Sequence, residues 1–118
     1  MNKRINSFKY AINGIIHCYS QPNMLIHGLA SVFAILLGII VKLSLTEWGI
    51  IILTIGVVTA AEAFNTSLEN LVDLVSPGEN EKAGMAKDIA AGAVLITAVM
   101  AVAAACFIFL PKIIEIVG

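Results

Sequence analysis

Trp48-Gly-Ile-Ile-Ile-Leu-Thr-Ile-Gly-Val-Val-Thr-Ala-Ala-Glu62-Ala-Phe-Asn65-Thr-Ser-Leu-Glu69-Asn-Leu-Val-Asp73-Leu-Val75 decides the fold of this chain. A helix crosses the hydrocarbon of a bilayer, about 30 Å, with roughly 20 mostly apolar residues. Residues 48–75 are long and apolar enough to do so, with several residues to spare. The surplus predicts that the last turns project into the headgroup layer or beyond it.

On the N-terminal side, Thr46-Glu47-Trp48 is expected to be a short connection, with Trp48 as an interfacial aromatic. Before it, residues 24–45 form another apolar run, entered through the turn Ser20-Gln21-Pro22-Asn23, where serine can cap and proline suits a first helical turn. Within residues 4–20, Ile5, Phe8, Ile12, Ile15, Ile16 and Tyr19 recur at spacings of three and four, with Lys9, Asn13 and His17 largely on other faces. That pattern predicts an amphipathic helix too polar to span, suited to lying in the headgroup region.

On the C-terminal side, Ser76-Pro77-Gly78 ends the helix, and Glu79-Asn80-Glu81-Lys82 is expected to be a polar loop. Helix resumes near Gly84, and a third apolar run covers residues 88–110. It is dense in Ala and Gly, which let helix backbones approach closely in lipid. Pro111 and Lys112 are expected to close it. The fold class that follows is an all-α membrane protein, with three transmembrane helices and an N-terminal interfacial helix in one domain over residues 1–118.

Composition agrees. Of 118 residues, 59% are hydrophobic and 13% charged, against about a quarter charged in soluble domains, and mean hydropathy is +0.96. Net charge is −1, which gives no basic footprint for nucleic acid. Cys18 and Cys106 lie far apart without a CxxC motif, and they suit packing better than a disulfide frame. Lys3 and Arg4 are not followed by an apolar core with a cleavage site, so no cleaved signal peptide is expected. With three spans, Lys3, Arg4, Lys9, Lys82 and Lys87 fall on one side, and Lys42 and Lys112 on the other. Five basic residues against two place the N-terminus and the 76–87 loop in the cytoplasm.

Glu62, Asn65, Glu69 and Asp73 carry the chemistry. At about 100° per residue they fall within an arc of about 80°, and they cover about 16 Å of helix axis. An acid in mid-span costs about 2.5–3.5 kcal/mol to insert, so such residues are functional candidates that need cations or metal nearby. The plainer reading keeps only Glu62 deep and leaves Glu69 and Asp73 solvated, which accounts neither for Asn65 nor for the narrow arc. Lys87, at the start of the third run, is expected within reach of the stripe's upper end if the two helices pack antiparallel. A fixed lysine beside a carboxylate–metal cluster suits phosphoryl transfer, whose catalysis is mainly positioning and charge neutralisation. Locally, Lys87 serves equally as a topological charge in a surface salt bridge. Neither G-x-x-x-x-G-K-[ST] nor a helix-opening G-x-G-x-x-G is present. His17 and His27 show no metal-ligand pattern.

Glu62-Ala-Phe-Asn-Thr-Ser-Leu-Glu-Asn-Leu-Val-Asp73 resembles the signature of the prokaryotic diacylglycerol kinase family. So do Lys87-Asp88-Ile-Ala-Ala-Gly-Ala-Val-Leu, Ser7-Phe-Lys-Tyr-Ala and Leu45-Thr-Glu-Trp48. Asp73-Leu-Val-Ser-Pro77 is more similar to the undecaprenol kinase branch. The resemblance covers essentially the whole chain. It implies a homotrimer in the bacterial cytoplasmic membrane, with sites at the cytoplasmic interface often built by two subunits, using ATP with Mg²⁺ to phosphorylate a lipid alcohol. It also implies Glu62 as general base, Asn65 as an orienting group and Glu69 as a ligand of the ATP-associated metal. Lys87 would neutralise phosphate charge, with Asp73 and Asp88 supporting the nucleotide. One departure stands out. Where the family usually has a second metal carboxylate this chain has Gln21, and Leu25 replaces a basic residue. Glutamine offers a carbonyl oxygen without charge, so weaker metal binding is expected.

Two other functions fit a small membrane protein. An ion-coupled transporter would use Glu62 as its carrier, but would favour polar groups in both halves of the bilayer, and the other half here is almost purely apolar. A structural subunit, such as an inactive relative marked by Gln21, would show neither flux nor phosphorylation.

Overall fold

Four helices follow one another along residues 3–118, the part of the chain that the computed structural model describes: α1 (Lys3–Cys18), α2 (Pro22–Val41), α3 (Leu45–Val75) and α4 (Glu81–Val117). The last three are long and apolar enough to cross a membrane.

Local chemistry sets each boundary. Pro22 opens α2, where its fixed φ suits a first turn and its missing N–H would have had no partner. Gln21 holds the N-cap position without a side-chain capping bond, and Ser20 donates its hydroxyl to the His17 carbonyl at 2.6 Å. The first span ends at Val41, short of the expected residue 45, because Lys42 turns into the left-handed region at φ 59°. There the amides of Lys42 and Leu43 bond back to the carbonyls of Ile39 and Gly38.

The next helix begins at Leu45, so Thr46-Glu47-Trp48 is its first turn and not a connection. The cause is a reciprocal cap. Ser44 Oγ accepts from the Glu47 amide at 3.2 Å, and Glu47 Oε1 accepts from the Ser44 amide at 2.8 Å. Likewise Asn80 Oδ1 accepts from the Ala83 amide, which starts α4 at Glu81 and makes helix of two residues expected to be loop.

At the far end α4 runs through Pro111 to Val117, where closure at Pro111 and Lys112 was expected. Proline removes one helical hydrogen bond, which a packed membrane helix can absorb. Lys112 Nζ lies 3.0 Å from Glu47 Oε1, tying the turn beyond the proline to the start of α3.

Two ion pairs, Glu47–Lys112 at one end and Asp73–Lys87 at the other, define α3 and α4 as antiparallel neighbours. The second helix packs on both, mainly on α3. An apolar cluster of Val41, Leu43, Ile51, Ile108 and Phe109 closes the Glu47–Lys112 end. Trp48 is half-buried and packs on this cluster. Gly38 permits that approach, since a Cβ there would lie 2.8 Å from both Leu43 Cδ1 and Trp48 Cη2. The amphipathic helix α1 has no buried residue and touches α3.

Candidate active site

The polar stripe of α3 lies toward the opposite end, and its burial falls steadily along the helix. Glu62 is 2% exposed and Asn65 6%; Glu69 is half-buried; the Asp73 side chain is 66% exposed. The arc predicted from helical periodicity is therefore one that passes from the protein interior to its edge.

Each member has its own neighbour. Glu62 Oε2 lies 3.4 Å from His27 Nε2 on α2. Asn65 Nδ2 donates to Glu69 Oε1 at 3.0 Å, one turn further on. Lys87 Nζ donates to Asp73 Oδ1 at 2.8 Å, joining the start of α4 to the last turns of α3. Asp73 and Lys87 both line an open groove of about 660 Å³ between these helix ends, which Ser76, Gly78, Asn80 and Gly84 also line. Small-molecule clefts typically measure about 300–1,000 Å³. Asp88 is exposed and does not line this groove.

His27 is the residue that sequence reasoning missed. It is far from Glu62 along the chain and on another helix, so no spacing rule links them. The available signal was the acid itself, because a carboxylate buried this deeply needs a cationic or donating partner at its own depth. Lys87 sits at the stripe's other end.

The Mg²⁺ that the resemblance implies would suit the donor set. Asn65 Oδ1 is buried and has no hydrogen-bond partner among the described residues, and Glu69 places a carboxylate beside the same amide. Both offer the hard oxygens that Mg²⁺ prefers. Among the described residues no three His, Cys, Asp or Glu side chains cluster to hold a metal by themselves. Phosphate oxygens would have to complete the shell, as is usual for Mg²⁺ at nucleotide sites.

The site is thus a buried acid with a graded polar track to a groove that Lys87 lines, on helices long and apolar enough to cross a bilayer. Residues 9–109 match the prokaryotic diacylglycerol kinase family. The chain is 38% identical over 114 residues to an undecaprenol kinase of Bacillus subtilis, covering 96% of this chain and 93% of that protein. It is 36% identical over 112 residues to a diacylglycerol kinase of a Synechocystis species, covering 93% of this chain and 64% of that protein. The chain belongs to the prokaryotic diacylglycerol kinase family and is an integral membrane lipid kinase.

Proposed function

We propose that the chain, acting as one domain over residues 1–118, transfers the γ-phosphoryl group of ATP to undecaprenol, with diacylglycerol as the next candidate acceptor. The fall in burial from Glu62 to Asp73 carries this reading. It supplies a proton acceptor where a lipid hydroxyl arrives and charged groups where a nucleotide arrives. The choice of undecaprenol rests on the 38% identical relative and on the Asp73–Pro77 motif.

In this mechanism Glu62 takes the proton of the lipid hydroxyl as its oxygen bonds to the γ-phosphorus. The bond from that phosphorus to the bridging oxygen breaks, and ADP leaves. Asn65 orients Glu69 through its amide. Glu69, the Asn65 carbonyl and Gln21 are the proposed holders of Mg²⁺, which when bound neutralises phosphate charge. Lys87 exchanges its contact with Asp73 for phosphate oxygens, as charge neutralisation of a transferring phosphoryl group requires. Asp73 and Asp88 support the nucleotide, Asp88 from outside the groove. We place the N-terminus and the 76–87 loop in the bacterial cytoplasm, where ATP is available. The large exposed apolar surface of one protomer is covered by lipid and by two further copies in a homotrimer.

Purified protein in micelles, given labelled ATP, Mg²⁺ and each lipid in competition, is expected to phosphorylate undecaprenol in preference. Glu62→Ala and Glu69→Ala are expected to abolish the product while leaving expression intact. Ion flux without phosphorylation would instead support a transporter. A native mass of three protomers tests the assembly.

A further inference from the structure

His27 stands apart from the proposed chemistry, yet touches its deepest member. Its Nε2 lies 3.4 Å from Glu62 Oε2, with side-chain exposures of 21% and 3%. That separation exceeds the roughly 2.9–3.0 Å of a well-formed N–H···O bond. Contacts of catalytic groups are often long before substrate binds and tighten in the complex. His27 also lines an apolar crevice of about 270 Å³ between α2, α3 and α4. The hydroxyls in that crevice, on Ser31 and Thr54, are already donated to the carbonyls of His27 and Ile50 at 2.8 and 2.7 Å. Neither hydroxyl offers its proton to the ring, and Glu62 is the acid that faces it. The backbone carrying His27 is held as well: the Tyr19 ring packs so close to Gly28 that a Cβ there would meet it at 3.1 Å.

We infer that His27 is the positioning residue for Glu62, its Nε2–H fixing the carboxylate oxygen so that the other oxygen faces the lipid hydroxyl. The inference rests on Glu62 being the proton acceptor. An unrestrained carboxylate on a flexible side chain reaches its productive orientation only part of the time, and misplacement by about 1 Å can lower a rate on the order of 10²-fold. Leu and Phe lack the donor; Gln offers an amide N–H at similar reach and does not titrate.

The test measures turnover in lipid micelles for His27→Phe, His27→Gln and Glu62→Gln. Phe is expected to lower kcat on the order of 10²-fold without raising KM for ATP, and Gln to recover most of that loss. Wild-type turnover in Phe, or a Gln variant no better than Phe, overturns the positioning role. Wild-type turnover in Glu62→Gln overturns the base itself, which is a separate failure. If Phe does not fold, ¹⁵N resonances decide. The chain has two histidines, His17 and His27, so assignment is direct. Glu62→Gln is expected to shift the Nε2 signal of His27 and leave His17 unmoved; an unshifted His27 refutes the contact.

Discussion

Glu62 and Asp73 show how one helix can serve two solvents. At the buried end the carboxylate is 2% exposed and meets an imidazole from α2; at the other it is mostly in water and meets an ammonium from α4. Between them Asn65 donates to Glu69, one turn further along the helix. Gln21 is the residue where this chain tests its own metal chemistry. It is half-buried ahead of α2 and makes no side-chain capping bond, so its amide is not committed to the helix end. An amide oxygen brings no charge to a hard cation that prefers carboxylate and phosphate. Gln21→Glu is therefore expected to lower the Mg²⁺ concentration for half-maximal activity, measured by titrating the metal at fixed ATP. An unchanged titration would remove Gln21 from the metal site. The stripe was legible in sequence because period and spacing within one helix determine which residues share a face. The His27–Glu62 contact was not, because it depends on how two helices pack, which no residue spacing records.

Boundaries of elements followed a different logic from their interiors. Apolar runs long enough to span are visible in composition, and all three became helices. The ends were set by single side chains acting over one turn. Ser44 and Glu47 cap each other, Asn80 caps α4, and Lys42 adopts a left-handed conformation that ends α2. Proline as a stop signal failed at Pro111, since a helix tied down beyond the proline by Lys112–Glu47 loses one bond and not its path. Two substitutions at the closed end separate capping from packing. Ser44→Ala removes the hydroxyl that accepts from Glu47, and is expected to lower stability by about 1 kcal/mol. Gly38→Ala forces a methyl against Leu43 and Trp48, both held by the apolar cluster, and is expected to lower it by about 1–3 kcal/mol. Thermal unfolding in micelles measures both. Neither residue is near the polar groove, so activity per folded molecule should be kept; a Gly38→Ala protein as stable as the parent would mean that Trp48 is free to move aside.

At the scale of the whole molecule the two ends of the bundle are unlike. One end is packed with Val41, Leu43, Ile51, Ile108 and Phe109 and pinned by Glu47–Lys112. The other end is open, with Asp73 and Lys87 lining a groove large enough for a small molecule. Under the proposed function the groove draws ATP from the cytosol, so the open end is expected to face the cytosol and the closed end the outer surface. The basic-residue rule predicts the same orientation by another route, with five expected on the groove side against two on the closed side. The two arguments share only Lys87 and Lys112, and a labelling experiment can contradict both at once. Leu45, 91% exposed at the closed end, and Glu79, exposed in the groove, mark the two surfaces. With Cys18 and Cys106 replaced by serine, Leu45→Cys in intact cells is expected to react with a membrane-impermeant maleimide, and Glu79→Cys only after the membrane is opened. The reverse pattern would put the groove outside, beyond reach of cytosolic ATP, and the site would then have to lie elsewhere on the chain.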